Sequence, residues 1–329
     1  MKPFAYTRAT DARGAVAAAH GDEAARFLAG GTNLVDLMKQ GVEEPAHLVD
    51  ITRLPLAGVE DVGDGGVRIG ALARNSDVAG HPLIRLRYPV LTEALLAGAS
   101  PQLRNMATVG GNLLQRTRCP YFTDVAFAEC NKRAPGSGCA ARSGWNRMHA
   151  ILGASEACVA THPSDMAVAL AALDAVIELL GAEGARELPI EAFYRLPGRT
   201  PELETERRPG ELITAVRLPP LPFARRSRYV KVRDRASFSF AVVAVAAALD
   251  LDGAATIRGA RLALGGVAHK PWRVAEAETM LVGRRAEAGA YGDAADVMLR
   301  DAEPLRDNAF KVELARRSVV RALTLAARS

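Results

Sequence analysis

The chain has 329 residues, 49% of them hydrophobic and 24% charged, with a formal net charge of +5 and a pI near 9.2. That length allows two or three domains, and the composition is that of an ordinary soluble globular protein. No run of about 18 apolar residues occurs, which argues against a membrane span. The basic charge is scattered and aromatics are only 5%, so no nucleic-acid footprint is present.

The N-terminus, Met1 to Arg13, has no apolar core of signal-peptide type and no twin arginine, so no export address is expected in the chain itself. Phe4 to Arg8 predicts a strand, and Asp11 caps an alanine-rich helix ending at Gly21. Ala25 to Leu28 reads as a strand running into a glycine turn, Ala29-Gly30-Gly31-Thr32-Asn33, with a helix from Leu34 to Gln40 after it. Leu48 to Ile51 and Val67 to Ala71 are further short strands, and Leu91 to Ala97 has helical spacing. A second glycine turn follows at Thr108-Val109-Gly110-Gly111-Asn112.

The stretch from Arg116 to Arg147 breaks this rhythm with Pro120, Pro135, Gly136, Gly138 and Gly144. Loops so long are uncommon unless functional or stapled. Ser164 then caps a helix to Ala175, and Val176 to Leu180 and Leu212 to Leu218 read as strands. Pro219, Pro220 and Pro222 mark a linker, with the domain boundary near residue 222. Beyond it, strands are expected at Tyr229 to Arg233, Phe240 to Leu249 and Thr256 to Leu264. Helices are expected at Ala275 to Leu281, Arg284 to Arg300 and Lys311 to Ala327. Strands followed by helices suggest a separate α+β domain. The densest basic group, Arg225, Arg226 and Arg228, reads as a solvated turn or a partner contact.

Glycine adopts positive φ without steric cost, so a Gly-Gly loop lets backbone amides converge on phosphate oxygens, and a following helix adds favourable potential. Two such turns, with Thr32 and Asn33 beside the first, suit a diphosphate. Neither a GxGxxG fingerprint nor a GxxxxGK[ST] loop occurs, so Rossmann and P-loop sites fit poorly.

All four cysteines, Cys119, Cys130, Cys139 and Cys158, fall between residues 119 and 158. No CxxC is present. Two disulfides, a zinc site and a cubane iron–sulfur cluster compete. Disulfides are disfavoured without a secretion signal. No acid–base or nucleophilic constellation stands out, so no catalytic residue is assigned.

These features together resemble the medium, FAD-binding subunit of the molybdenum hydroxylases, the xanthine dehydrogenase and carbon monoxide dehydrogenase group. The resemblance runs over nearly the whole chain. It rests on residues 27–34 (Phe27, Leu28, Ala29, Gly30, Gly31, Thr32, Asn33, Leu34), on Arg104 to Leu113, and on Ser164-Asp165-Met166-Ala167. Glu211-Leu212-Ile213, and Lys231 followed by Arg235, complete it. Within that family the chain resembles the periplasmic aldehyde oxidoreductase branch, whose flavin subunit carries a [4Fe–4S] cluster. The local match includes Arg116-Thr117-Arg118-Cys119-Pro120-Tyr121, Cys130-Asn131-Lys132-Arg133, Pro135 to Cys139, Asn146 to Ala150 and Ala157-Cys158.

The resemblance implies an α+β fold: a vanillyl-alcohol-oxidase-type FAD-binding domain of two α/β subdomains (1–222), then a C-terminal α+β domain (223–329). Residues 27–34, with Thr108, Gly110, Gly111 and Asn112, would hold the FAD diphosphate and ribityl chain through backbone amides. Asp165 would bond the ribityl or flavin region, Ile213 would contact the isoalloxazine, and Lys231 would lie near its polar edge. Cys119, Cys130, Cys139 and Cys158 would hold the [4Fe–4S] cluster, as a relay or as a staple.

The partners implied are a large molybdenum-cofactor subunit and a small subunit with two [2Fe–2S] centres, in a heterotrimer that oxidises an aldehyde and delivers electrons to an external acceptor. Co-export with a signal-bearing partner would place it in the periplasm; the cytoplasm is the alternative. The rival readings are a self-contained flavin oxidoreductase and a zinc-stapled scaffold.

Overall fold

The computed structural model describes residues 1–329. Strands β1 (Ala5–Arg8), β2 (Ala25–Leu28) and β3 (His47–Asp50) form a parallel sheet in the order β1-β3-β2. Parallel neighbours need a crossover. The helix Ala12–Ala19 supplies the first, its N-terminus capped by Asp11, whose carboxylate accepts from the Gly14 amide. The helix Leu34–Lys39 supplies the second. β2 therefore ends directly at the first glycine loop.

Strands β4 (Val59–Asp61), β5 (Val67–Gly70), β6 (Val176–Gly181), β7 (Gly184–Pro189) and β8 (Leu212–Leu218) make an antiparallel sheet ordered β4-β5-β8-β6-β7. It packs against helices Pro89–Ala97 and Asp165–Ala172 in a core of 34 buried residues. The last unit is an antiparallel sheet β11-β10-β9, from β9 (Ser227–Val232), β10 (Val243–Leu251) and β11 (Ile257–Gly265). The helix Phe310–Ala327 lies on it, burying Lys311, Ala315, Val319, Ala322, Leu323 and Ala326 at the spacing of one helix face.

Several boundaries depart from expectation. The run read as a strand from Phe240 begins at Val243, leaving Phe240 exposed. The helix expected from Arg284 starts at Ala288, because Arg284 and Ala286 are tied by backbone hydrogen bonds to Ile257 and Ala255. Short helices at Asn75–Gly80, Pro82–Arg87 and Pro101–Arg104 have no counterpart in the sequence reading, nor do β4 and β7. Prolines 82, 89 and 101 each open a helix, where a missing amide costs nothing. The stretch from Gln115 to Pro163 carries one four-residue helix, Pro120–Thr123, and otherwise only isolated bridges, including Cys130 with Cys139 and Ser155 with Cys158.

Candidate functional site

A cleft of about 590 Å³ opens where residues of the first 221 positions meet the C-terminal sheet. Thr32, Asn33, Gly111 and Asn112 wall one side, and Tyr229, Lys231 and Gly266 the other. The volume suits a small-molecule or cofactor site. The first glycine loop reaches it because Gly30 has no side chain: a Cβ there would lie 1.9 Å from the Met106 carbonyl oxygen. Gly31 takes φ +72°, the left-handed region that favours glycine. The amides of Gly30, Gly31, Thr32 and Asn33 find no acceptor within the chain. The side-chain Nδ2 of Asn33 is buried without a partner, while its Oδ1 accepts from the Arg116 amide at 2.9 Å. A row of unspent donors beside a cleft is the donor chemistry a diphosphate requires.

The second glycine segment contributes differently. Thr108 caps a short helix, Val109–Leu113, so the glycine pair lies inside a helix rather than in an open turn. The Gly110 amide donates to the Ala71 carbonyl at 2.8 Å, the Asn112 amide to the Thr108 carbonyl at 2.8 Å, and the Gly111 amide to Thr108 Oγ1 at 3.2 Å. These amides are spent, which departs from the role expected for them. What the segment offers the cleft is the face of Gly111 and the Asn112 side chain. Asn112 Oδ1 accepts from Ser164 Oγ at 2.7 Å and from Gln115 Nε2 at 2.6 Å.

Asp165 opens its helix one residue after the Ser164 cap. Its carboxylate accepts from Tyr229 Oη at 2.7 Å and from Lys231 Nζ at 2.8 Å. Burial pushes the Asp165 carboxyl up, and the Lys231 ammonium works against that rise. Lys231 also donates to the Ala97 carbonyl at 3.1 Å, leaving one of its three ammonium donors for the cleft. Ala99 lines the same cleft with φ +51°, a conformation uncommon outside glycine and frequent at functional sites.

Of the residues singled out in the sequence, Thr32, Asn33, Gly111, Asn112, Asp165 and Lys231 line the cleft. Gly30 and Gly110 set backbone packing: a Cβ on Gly110 would press on Ala71 at 3.1 Å. Phe27, Leu28, Ala29, Gly31, Leu34 and Thr108 do not line the cleft. Ile213 lies in β8, 3% exposed within the core and away from the cleft wall. The sequence reading gave Tyr229 no site role; it sits in the cleft wall, 64 positions from the carboxylate it holds.

All four cysteines border one small cavity of about 10 Å³, with Lys132, Asn131 and Phe122 in its wall. None is in a disulfide. The loop holds this arrangement with its own hydrogen bonds: Asn131 N–H to the Gly138 carbonyl at 2.7 Å, the Gly138 amide to Asn131 Oδ1 at 2.9 Å, and Asn131 Nδ2 to the Ala157 carbonyl at 2.9 Å. Lys132 is buried and bridges to the Pro201 carbonyl at 2.7 Å and to Glu204, which Arg116 also meets at 3.0 Å. Burial pushes the Cys119 thiol up to about 12. Cys139 is pulled down by a hydrogen bond from Cys158, which rises correspondingly.

No three His, Cys, Asp or Glu side chains close on a point that could hold a single ion, so the set does not fit zinc as placed. Four thiols around one cavity do match the donor set of a cubane, which distributes its thiolates over separate irons. The cavity is the size of one water, too small for the cube of a cluster as the thiols are placed. Cys119 borders both the cysteine cavity and the flavin-sized cleft.

Residues 2–221 match the FAD-binding domain of molybdopterin dehydrogenase, and residues 228–326 match the CO dehydrogenase flavoprotein C-terminal domain. The chain belongs to the FAD-binding medium subunits of the molybdenum hydroxylases. It is 52% identical to the aldehyde oxidoreductase FAD-binding subunit PaoB of Escherichia coli, over 98% of both chains. It is 30% identical to the glyceraldehyde dehydrogenase medium chain of Sulfolobus acidocaldarius, over 98% of this chain and 96% of that one. A solved CO dehydrogenase from Oligotropha carboxidovorans superposes with a TM-score of 0.78 at 28% identity, covering 100% of this chain and 99% of that chain. The fold is therefore the expected FAD-binding domain followed by an α+β domain, the protein is an oxidoreductase flavoprotein subunit, and its cofactor is FAD. The unspent amides, the unpartnered Asn33 Nδ2 and the size of the cleft fit that cofactor.

Proposed function

We propose that this chain is the flavin and iron–sulfur electron-transfer subunit of a molybdenum-dependent aldehyde oxidoreductase. In that role it takes electrons from a large molybdenum-cofactor partner through a small [2Fe–2S] partner and passes them to an external acceptor. The aldehyde class is supported by the 52% identity to the Escherichia coli subunit over nearly the full length of both chains. The observation that carries the electron-transfer reading is Cys119, which borders the flavin cleft and the four-thiol cavity at once. On that observation a [4Fe–4S] cluster on Cys119, Cys130, Cys139 and Cys158 serves as a relay.

FAD, when bound, supplies one- and two-electron chemistry that no side chain here can. The chain's own residues bind and orient it. The Thr32 and Asn33 amides at the cleft wall take the diphosphate, with the unspent Gly30 and Gly31 amides next to them in the loop and Asn33 Nδ2 and the Gly111–Asn112 face alongside. Asp165 is held as an acceptor by Tyr229, and Lys231 presents a fixed positive charge with one free donor. Division of the chain near residue 222 follows the end of one family match at 221 and the start of the next at 228. The same branch resemblance implies periplasmic residence by co-export, with the cytoplasm as alternative, which cell fractionation decides.

Co-expression with the two partners tests the function. Anaerobic addition of an aldehyde to the complex should bleach the flavin absorbance, and the isolated chain should not respond. Turnover of aldehyde by the isolated chain would instead make it a self-contained flavin oxidoreductase.

A further inference from the structure

Arg118 lines the cleft with its side chain only 25% exposed, yet its guanidinium makes no hydrogen bond. Its Nε is buried without a partner, and the nearest carboxylate, Asp36, stands 3.7 Å from Nη1 and is itself 51% exposed. The other cations of the cleft are spent. Arg104 donates to the carbonyls of Leu96 and Gly98, Arg235 to that of Phe238, and Lys231 to Asp165 and the Ala97 carbonyl. Withdrawing a guanidinium from water without giving its donors an acceptor is costly, so an acceptor is missing here. The group is nonetheless held in place. Its Cζ lies 5.1 Å from the centroid of the Phe240 ring, a cation–π distance, and Phe240 belongs to the C-terminal unit. Two residues earlier the chain is pinned to the first glycine loop, where the Arg116 amide donates to Asn33 Oδ1 at 2.9 Å. Asp36 follows Asn33 in the first turn of the helix Leu34–Lys39. These ties bring the unsatisfied guanidinium to the part of the cleft wall that holds the unspent amides of Thr32 and Asn33.

We propose that Arg118 is a binding residue for the FAD diphosphate, its planar fork sharing the phosphate oxygens with the Thr32 and Asn33 amides. The proposal rests on the reading that the diphosphate lies at the first glycine loop. A guanidinium matches phosphate oxygens bidentately and stays charged at any working pH. A diphosphate is doubly anionic, and amides offset that only with partial charge; a fixed cation supplies the rest. Asp36, exposed and beyond hydrogen-bond reach, is a loose counter-ion that a diphosphate outcompetes.

Titration of the flavin-free full chain with FAD and with riboflavin, which has the isoalloxazine and ribityl chain but no phosphate, tests this. Arg118→Gln should weaken FAD roughly tenfold to a hundredfold, the span of a lost charge-assisted hydrogen bond, and bind riboflavin as wild type does. Arg118→Lys, which keeps the charge and loses the fork, should fall between the two. Asp36→Asn should not weaken FAD; a loss there equal to that of Arg118→Gln would make the arginine a loop-holding ion pair and overturn the proposal. FAD unchanged in Arg118→Gln overturns it, and so does an equal loss of FAD and riboflavin, which would mean that Arg118 only shapes the cleft. Where Arg118→Gln does not fold, Arg118→Lys decides: a loss confined to FAD supports the proposal and any other pattern overturns it. Gly30→Ala binding FAD as tightly as wild type would sink the placement of the diphosphate at the first glycine loop, a separate result.

Discussion

Asp165 and Lys231 are a matched buried pair, with side chains 9% and 4% exposed, and their worth comes from being together. Removing one partner of a buried pair leaves an uncompensated charge and typically costs about 3–5 kcal/mol. Lys231→Met should therefore destabilise the chain by about that amount in urea unfolding, and weaken FAD binding as well. Asp165→Asn keeps an acceptor for Tyr229 but leaves the buried Lys231 ammonium unpaired, so it should cost about as much. Glu204 makes a second case. Burial raises its carboxyl, but Arg116 and Lys132 more than offset this and hold it at about 2 against an ordinary 4.5. A depressed carboxyl stabilises fully above its unfolded value, and the contribution fades as pH falls from 4.5 toward 2. At neutral pH it is worth about 3 kcal/mol. The stability gap between wild type and Glu204→Gln should be full at pH 7 and shrink below pH 4.5; a gap independent of pH would refute the ion-pair account. Asp165 and Lys231 were legible in the sequence through motif resemblance. Tyr229 and the Arg116–Glu204–Lys132 bridge were not, because partners 64 to 88 positions apart leave no local pattern.

At the scale of elements, the two glycine segments look alike in sequence and act differently. The first presents amides and needs Gly30 to pass the Met106 carbonyl; the second spends its amides internally. Gly30→Ala should displace the loop and lower FAD affinity by about a hundredfold, some 2.7 kcal/mol, in a flavin-fluorescence titration. Gly111→Ala, where the nearest atom is Thr108 Oγ1 at 3.1 Å, should cost far less. Equal losses at both would mean that the segments share one role. The strands beside these loops were readable because alternation and apolar runs are local signals. The helix starts at Pro82, Pro89 and Pro101 were less so, since proline reads equally as a breaker and as a first helical residue. The cysteine loop was legible as a metal-ligand candidate but not as a fold. Its shape comes from side-chain bonds such as Asn131 to Gly138 and Ala157, which no periodicity announces.

For the whole molecule, the cleft draws Thr32, Asn33 and Asp165 from one unit and Lys231 and Gly266 from the other. Ligand that binds only the folded chain stabilises it by mass action, about 2.7 kcal/mol at a hundred times Kd. FAD should therefore raise the melting temperature of both units together, as one transition; a shift confined to one of two transitions would place the flavin inside a single unit. Cys119 then links the flavin cleft to the four-thiol cavity, because it lines both. The most direct measurement is iron, acid-labile sulfide, zinc and FAD per chain on anaerobically purified protein, with low-temperature EPR after reduction. About four iron and four sulfide with one FAD is the result predicted. One FAD with zinc, or with no metal, would keep the flavin subunit and contradict the cluster; folded protein without FAD would contradict the account at its root.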